Sequence, residues 1–347
     1  MSNQAVLDGL AQRKSTALAR AISMVENGTA GFEELLASIH SKTGRARRIG
    51  ITGPPGAGKS TLTERLTGAY RAAGMTVGVV AVDPSSPFTG GALLGDRIRM
   101  ERQSLDENVF IRSMASRGSL GGMATTTGEV ADVMDAFGFD RIIIETVGVG
   151  QSELDVAGAS DSTIVVLVPE SGDGIQVMKA GLMEIADLFV VNKADRPGAD
   201  RLIQELEVSI HLRAGNAFKH IKAHHGVKLE KRAEEKQREK REKETKEWEP
   251  PVMATIAAKG DGVPELIASL DKHFAWLEQD DRLAERRKKR LEVRTREVIE
   301  RAVKGWLKSD EEIEQARRDV DAGLRSPYDV AAWVRQRLAG SVAYERR

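Results

Sequence analysis

Short runs of apolar residues recur along the middle of the chain, and most are followed by a stretch whose apolar positions have helical spacing. Near-continuous apolar runs of this length are typical of strands that helices cover on both faces. Because strands and helices alternate, the pattern predicts an α/β fold with a doubly wound, mainly parallel sheet. Ligands of such a sheet bind at the carboxyl ends of its strands. The predicted strands are Arg48–Thr52, Val77–Val82, Val109–Arg112, Arg141–Glu145, Thr163–Val168, Leu188–Val191 and Val252–Ile256.

Helical patterns precede and follow this alternating region. Between residues 5 and 41 the apolar positions recur at helical spacing, and Gly28 and Gly31 separate two predicted helices. Beyond Asp280 a basic stretch, residues 282–296, continues into an amphipathic helix. The predicted division is an N-terminal helical extension over residues 1–45, an α/β domain over 46–277 and a C-terminal helical arm over 278–347.

Within the predicted α/β domain, residues 212–250 form a charged insertion whose composition differs from that of its surroundings. Lysine, arginine and glutamate dominate it, and several opposite charges have the i,i+4 spacing that supports a helix. We therefore predict an exposed helix or a partly disordered loop, with the docking of a partner as a less favoured alternative. His220, His224 and His225 are weak evidence for a metal site, because no carboxylate accompanies them.

The segment after the first predicted strand has the chemistry of a phosphate-binding loop. It fits the pattern G-x-x-x-x-G-K-[ST] at every position, and a helical pattern follows it at once. The glycines let backbone N–H groups turn toward a phosphate, the lysine supplies positive charge for the outer phosphates, and the serine hydroxyl can ligate Mg²⁺. The sequence thus predicts a nucleoside triphosphate site in a P-loop NTPase fold. Its residues are Gly53, Pro54, Pro55, Gly56, Ala57, Gly58, Lys59, Ser60 and Thr61.

A second motif indicates which base the nucleotide carries. Asn192, Lys193 and Asp195 follow a predicted buried strand and form the sequence N-K-x-D. A carboxylate in this motif accepts from the ring N1–H and the exocyclic amine of guanine, which adenine cannot donate together, so an adenine would leave the carboxylate unpaired. A later loop, with Ala257, Ala258 and Lys259, is similar to the second guanine-contacting loop of GTPases, with alanine where serine or threonine is common. The predicted nucleotide is therefore GTP.

Acidic residues at the ends of predicted strands are candidate magnesium ligands. Glu145 occupies the position where P-loop GTPases usually have the aspartate of D-x-x-G. Asp83 and Asp96 are further candidates, although a helix N-cap explains Asp96 equally well. Val149 follows Gly148 where Ras-like proteins have the glutamine that positions water, so we expect slow intrinsic hydrolysis that a partner accelerates. Candidates for orienting that water are Gln151, Ser152 and Glu153.

Composition narrows the classes of partner. Lys+Arg and Asp+Glu both number 52, so the formal net charge is zero and bulk electrostatics favours neither nucleic acid nor a membrane as partner. The chain has no cysteine, which excludes disulfides and cysteine-based metal sites or nucleophiles. No signal-peptide pattern or bilayer-spanning apolar run is present, so we expect a soluble cytoplasmic protein.

With these residues in place, the chain resembles the GTPases that act as chaperones of adenosylcobalamin-dependent methylmalonyl-CoA mutase. The segments that carry the resemblance are GPPGAGKST, VDPSSPFTGGALLGDRIRM, ETVGVGQSE and NKAD, together with the terminal helices. The resemblance implies that Asp83, Asp96 and Glu145 surround the Mg²⁺ with Ser60. It also implies a further switch, with Gln176 and Lys179 at its sensing positions, and a homodimer formed through the C-terminal arm.

The family resemblance implies a function and leaves the client open. The expected activity is Mg²⁺-dependent GTP hydrolysis, which gates loading of the cofactor and protects or reactivates the mutase. The expected catalytic residues are Lys59, Asp83 and Glu145. The client is open among methylmalonyl-, isobutyryl- and 2-hydroxyisobutyryl-CoA mutases, and the charged insertion is longer than is usual in the family. Two alternatives are an ATPase or kinase linked to basic amino-acid transport, which the N-K-x-D motif disfavours, and a metal-insertion GTPase, for which cysteine ligands are missing.

Overall fold

The computed structural model describes residues 2–84, 105–116, 123–146, 152–169, 181–213 and 247–344. In this part of the chain seven strands form one sheet, and every strand pairing in it is parallel. The strands are β1 (Arg47–Thr52), β2 (Val77–Pro84), β3 (Val109–Ser116), β4 (Arg141–Thr146), β5 (Ser162–Leu167), β6 (Leu188–Asn192) and β7 (Val252–Thr255).

The order of the strands places β1 in the middle of the sheet. The sheet runs β3-β2-β4-β1-β5-β6-β7, so the chain passes from β1 to β2 on one side and from the neighbouring β4 to β5 on the other. At such a position the connections leave toward opposite sides, and the crevice between them at the carboxyl end of the strand is where ligands of α/β sheets bind. The predicted doubly wound parallel fold is confirmed.

Helices cover both faces of the sheet and extend the chain at each end. They are α1 (Asn3–Ala11), α2 (Ser15–Asn27), α3 (Phe32–Ile39), α4 (Lys59–Ala72), α5 (Met123–Phe137), α6 (Ser152–Ala159), α7 (Leu182–Ile185), α8 (Ala199–Arg213), α9 (Val263–Leu277), α10 (Arg282–Ser309), α11 (Glu311–Asp321) and α12 (Pro327–Tyr344).

The N-terminal extension contains three helices where the sequence pattern predicts two. The additional break lies between α1 and α2, where Arg13 has a φ of 54°. The first two helices can fold back closely because Gly9 has no side chain: a Cβ built there would lie 2.5 Å from Cβ of Ala17. A single glycine within a helical pattern gives no local sign of such a contact, so the pattern alone does not reveal this break.

The apolar core lies in layers on the two faces of the sheet. Ile142 and Ile144 of β4 pack with α1, α2, α3, α5 and α6, whereas Ile143 of the same strand packs with α4 and α9. Successive residues of a strand point to opposite faces, which explains why these consecutive isoleucines serve different layers. A third group of apolar residues joins α7 and α8 to β5 and β6. The sheet that carries the candidate site is therefore fixed from both sides.

A buried network of ion pairs lies near the amino-terminal end of β1. Arg48 contacts Asp132 at 2.7 Å and Asp135 at 2.9 Å, while Asp161 accepts hydrogen bonds from the Arg48 backbone and from Arg287 of α10. Burial alone opposes ionisation of Asp161, but the hydrogen bond from Arg287 and the nearby guanidinium charges outweigh it, so the pKa of Asp161 lies well below its usual range. The network fixes the start of α10 to the α/β domain.

The described chain forms two compact units that divide between Leu291 and Glu292. In the second unit, the Arg337 guanidinium lies 5.8 Å from the ring of Trp306 and 5.5 Å from that of Trp333, and it pairs with Asp310 at 3.1 Å. These contacts join α10, α11 and α12 within that unit. No helix among the described residues is both long and apolar enough to cross a bilayer.

Candidate nucleotide-binding site

The predicted phosphate loop leaves the carboxyl end of β1 through three glycines with positive φ. The φ angles are 137° at Gly53, 74° at Gly56 and 86° at Gly58, a region that residues with a side chain rarely adopt. At Gly53 a Cβ would lie 2.1 Å from the Val166 carbonyl oxygen, and at Gly58 it would lie 2.3 Å from Asn192 Nδ2. The glycines thus bring the loop close to β5 and to the predicted base-recognition motif.

Lys59 begins α4 and folds back over the loop. Its Nζ donates hydrogen bonds to the carbonyl oxygens of Gly53 at 2.8 Å and Pro54 at 2.9 Å, and the side chain is buried. The helix has Gly58 as its N-cap, without a capping side chain, so its first N–H groups have no side-chain acceptor there. A helix N-terminus with such N–H groups favours an anion, and the ammonium adds positive charge at the same place. Loop, helix end and lysine together suit a polyphosphate.

Ser60 and Glu145 meet at the edge of this loop. The Ser60 hydroxyl donates to Glu145 Oε1 at 2.6 Å, and Glu145 is buried at the end of β4. Next to it, the Thr146 hydroxyl donates to the Thr52 hydroxyl at 3.1 Å, which joins the ends of β4 and β1. A hydroxyl and a carboxylate are the hard oxygen ligands that Mg²⁺ prefers, and Mg²⁺ at a nucleotide completes its shell with phosphate oxygens and water. The donor set fits Mg²⁺.

The other predicted metal and switch residues are only partly described. The backbone of Asp83 lies near the end of β2, two positions beyond Ala81, which pairs with Glu145. Asp96, Gln176, Lys179 and the three histidines of the charged insertion lie outside the described residues, as does Gln151. Among the described residues, no group of three or more His, Cys, Asp or Glu side chains could hold a metal ion.

Both polar atoms of the Asn192 side chain, in the predicted guanine motif, make hydrogen bonds to other parts of the protein. Its Nδ2 donates to the Ala57 carbonyl in the phosphate loop at 2.8 Å. Its Oδ1 accepts from the Ala257 backbone N–H at 3.0 Å and from the Thr255 hydroxyl at 3.1 Å. Asn192 therefore joins the phosphate loop, the end of β6 and the second base loop, which contains Ala257, Ala258 and Lys259, into one unit. The sequence motif does not reveal this role.

Lys193 and Asp195 extend this unit toward solvent. Lys193 has a φ of 56°, and its Nζ donates to the Gly56 carbonyl at 2.8 Å. The Asp195 carboxylate lies 3.7 Å from Lys259 Nζ, and its side chain is 45% exposed. An exposed carboxylate beside the phosphate loop can accept hydrogen bonds from a base whose phosphates lie in that loop. The structure thus brings together the N-K-x-D residues, the loop around Ala258 and the phosphate loop.

Sequence reasoning missed one side chain that contacts the second base loop. Arg65 of α4 donates to the carbonyl oxygens of Ala257 and Ala258. No local signal marks this residue, because charged side chains are common on the exposed face of any helix. Only the fold reveals that this face of α4 lies beside the loop.

Comparisons with known proteins relate most of the chain to GTPases. The model of a family described as methylmalonyl Co-A mutase-associated GTPase MeaB matches residues 18–312. A predicted GTPase of Pyrococcus abyssi is 43% identical over 327 residues, covering 93% of both chains. The mouse protein named methylmalonic aciduria type A homolog, mitochondrial, is 32% identical over 337 residues, covering 92% of this chain and 75% of its own. The crystal structure of a protein named LAO/AO transport system kinase has a TM-score of 0.62 and 26% identity, with 97% of both chains covered.

Proposed function

The chain belongs to the MeaB family of methylmalonyl-CoA mutase-associated GTPases, and from that premise we propose that it is a GTP-hydrolysing chaperone of an adenosylcobalamin-dependent acyl-CoA mutase. In this role GTP binding and hydrolysis gate the loading of the cofactor and the protection or reactivation of the mutase. The observation that carries the proposal is the family match over residues 18–312. The likeness to a mouse protein named for methylmalonic aciduria supports a client that handles methylmalonyl groups.

Catalysis of hydrolysis in this proposal depends on the positioning of the phosphates and on the positive charge beside them. Water attacks the γ-phosphorus, the bond to the β–γ bridging oxygen breaks, and GDP and phosphate leave. Lys59 holds positive charge beside the outer phosphates, and backbone N–H groups of the glycine loop donate to their oxygens. Ser60 and Glu145 would hold Mg²⁺, which neutralises charge on the phosphates when bound. Asp83 and Asp96 are proposed to complete the acidic set.

Recognition of the base and sensing of the nucleotide state are assigned to separate parts of the chain. We assign recognition of guanine to Asp195 and to the loop of Ala257, Ala258 and Lys259. Asn192 holds that loop against the phosphate loop, and Lys193 holds the N-K-x-D segment against the phosphate loop. Gln176 and Lys179 are proposed to sense the nucleotide in a segment that couples its state to the mutase. Since Val149 stands where Ras-like proteins have a glutamine, the client supplies the acceleration of a slow intrinsic reaction.

A homodimer is part of the proposal, with α10 at its interface. This helix of 28 residues has no buried residue, and its apolar Val293, Ile299 and Val303 are exposed. A helix with a long exposed apolar face gains stability when a second helix covers it. Light scattering coupled to gel filtration checks this: a mass of twice 37.8 kDa is expected, and a monomer at all concentrations contradicts the dimer. The cytoplasmic location stays a sequence-based prediction.

The decisive experiment is GTP turnover with and without a purified cobalamin-dependent acyl-CoA mutase, with ATP as the control nucleotide. We expect slow hydrolysis of GTP that rises when the correct mutase is added, and little hydrolysis of ATP. A Lys59→Ala variant, mixed with the same mutase, controls for nucleotidase activity in the mutase preparation. Turnover that no mutase changes would contradict the chaperone role.

A second candidate function is a kinase or ATPase linked to basic amino-acid transport, which the name of the similar crystal structure suggests. It requires efficient use of ATP, and the Asp195 carboxylate favours guanine over adenine. A turnover rate with ATP that equals or exceeds the rate with GTP would move the assignment to this alternative. The third alternative, a metal-insertion GTPase, predicts tight binding of a transition metal, which calorimetry with Ni²⁺ and Zn²⁺ tests directly.

A further inference from the structure

Arg65 joins the helix of the phosphate loop to the second base loop. It lies on α4, the helix that Lys59 begins. Its guanidinium donates through Nε to the Ala257 carbonyl at 3.0 Å and through Nη2 to the Ala258 carbonyl at 2.5 Å. Two consecutive carbonyl groups are thus held by one planar group with fixed directions, which a lysine ammonium cannot reproduce.

The contacts of Arg65 belong to a continuous series of hydrogen bonds around the candidate site. The guanidinium binds the carbonyl of Ala257, and the N–H of Ala257 donates to Asn192 Oδ1 at 3.0 Å. Asn192 Nδ2 then donates to the Ala57 carbonyl of the phosphate loop, and that loop leads back into α4. Ala257 is buried and packs in the same apolar cluster as Leu62 of α4. The base loop is therefore positioned relative to the phosphate loop by two polar links and by the burial of Ala257 in an apolar cluster that it shares with α4.

The loop that Arg65 holds is a tight turn with one spare donor. Lys259 and Gly260 both donate their backbone N–H to the Ile256 carbonyl, at 2.8 and 3.0 Å. Among the residues that the structure describes, the Ala258 N–H has no hydrogen-bond acceptor. A backbone N–H at this position can donate to the O6 carbonyl of guanine, whereas the amino group of adenine at the same place offers it no acceptor.

We infer that Arg65 is a positioning residue for guanine selectivity. By binding the carbonyls of Ala257 and Ala258, its guanidinium fixes the peptide groups so that the Ala258 N–H stays available to the base. Ala257 lacks the hydroxyl that serine or threonine would offer at this point for holding the turn, so Arg65 supplies polar contacts in addition to that of Asn192. This inference rests on the assignment of the loop to guanine, and it does not depend on the mutase.

Substitutions at Arg65 test the inference against a matched control on the same helix. Arg65→Ala removes both hydrogen bonds, and Arg65→Lys retains the charge but not the two fixed directions. Arg71→Lys is the control, because Arg71 also donates to two partners from α4, through Nε to Asp106 and through Nη1 to the Met75 carbonyl, away from the base loop. For each variant, kcat and KM are measured with GTP and with ATP, and thermal melting reports whether the fold is retained.

The expected result is a change in KM for GTP alone. Arg65→Ala raises that KM by roughly 5- to 20-fold, which corresponds to the loss of one or two hydrogen bonds, and leaves kcat at saturation within about twofold. Arg65→Lys gives a smaller rise of the same kind, so it carries the test if Arg65→Ala does not fold. The kcat/KM for ATP stays unchanged in both variants, and Arg71→Lys behaves like the wild type.

Two other results distinguish a failure of the Arg65 inference from a failure of the guanine assignment. An unchanged KM for GTP in the Arg65 variants, or equal losses with GTP and ATP, overturns the positioning role and leaves Arg65 as a support of α4. A wild-type protein that does not prefer GTP over ATP overturns the guanine assignment itself, and the inference with it. The two failures are distinguishable because the second is seen without any variant.

Discussion

The Ser60 hydroxyl donates a hydrogen bond of 2.6 Å to Oε1 of Glu145, joining the first turn of α4 to the end of β4. Glu145 is only 1% exposed, and a buried carboxylate is costly unless it has hydrogen bonds or a cation nearby. The pair lies directly beside the phosphate loop, where Mg²⁺ would neutralise this charge. The two side chains, which come from different segments of the chain, are proposed to hold the metal together.

Glu145→Gln should weaken the use of Mg²⁺ while retaining the hydrogen bond from Ser60. The amide oxygen can still accept from the hydroxyl, but the negative charge that attracts the metal is lost. We expect the Mg²⁺ concentration for half-maximal GTP turnover to rise about tenfold, which corresponds to about 1.4 kcal/mol. A titration of turnover with MgCl₂ measures this change. Glu265→Gln, the same substitution at the exposed start of α9, is the control, and an identical Mg²⁺ requirement in both variants would exclude Glu145 as a ligand.

Lys59→Ala should nearly abolish GTP hydrolysis without unfolding the protein. The ammonium donates to the carbonyls of Gly53 and Pro54, and its charge is proposed to stabilise the outer phosphates in the transition state. Removal of such a group costs about 10²- to 10³-fold in kcat, while the two lost hydrogen bonds cost about 1–3 kcal/mol of folding free energy. Turnover assays and thermal melting separate the two effects, with exposed Lys272→Ala as the control. Full activity in Lys59→Ala would refute the site assignment.

The sequence alone predicts the parts of this site that are local in the chain. The glycines, Lys59 and Ser60 fall within one octet with fixed spacing, and the apolar run before them identifies the strand from which the loop departs. The fold class follows in the same way, because strands buried on both faces leave a continuous apolar signal. Both predictions depend only on residues close to each other in the chain.

Contacts between distant segments could not be predicted in this way. Asn192 is recognised from its motif as a nucleotide residue, yet its amide bonds to Ala57 and Ala257, which lie far away in the chain. Arg65 and Asp161 give no signal at all, because an arginine on a helix or an aspartate at a strand end is usual at the surface. Their partners are set by the strand order, which the periodicity of apolar residues does not determine.

Asp195→Asn should change the base that the protein prefers. The carboxylate can accept two hydrogen bonds from guanine, whereas an amide presents one acceptor and one donor group and so suits xanthine, which has a carbonyl in place of the exocyclic amine. We expect kcat/KM to fall by about 10²-fold for GTP and to rise for XTP. Competition between the two nucleotides in one turnover assay measures the ratio. A variant that keeps the wild-type preference for GTP would show that Asp195 does not contact the base.

His273 of α9 is a buried histidine that the nucleotide site does not use. Its Nδ1 lies 2.9 Å from the Ser162 hydroxyl, its Nε2 lies 3.4 Å from Asp187, and its ring packs against those of Trp248 and Trp276, which also contact each other. Asp187 is already paired with Arg286 of α10 at 2.8 Å. Burial lowers the pKa of His273 to about 4, despite the attraction of Asp187 for a proton on the ring. The histidine is therefore neutral in the folded protein at neutral pH.

The pKa of His273 predicts an acid-dependent loss of stability. In the unfolded chain a histidine titrates near 6.5, so between about pH 6.5 and pH 4 the unfolded state binds more protons and the free energy of unfolding falls as the pH falls. The full difference amounts to about 3 kcal/mol of stability, present above pH 6.5 and lost by about pH 4.

His273→Phe keeps an aromatic ring but cannot titrate, so its free energy of unfolding should depend less on pH over this interval. At pH 7 that free energy should be lower than in the wild type by about 1 kcal/mol, because the Ser162 contact is lost. Urea unfolding at several pH values measures both slopes, with exposed His40→Gln as the control. A slope in His273→Phe equal to that of the wild type would assign the acid dependence to other groups.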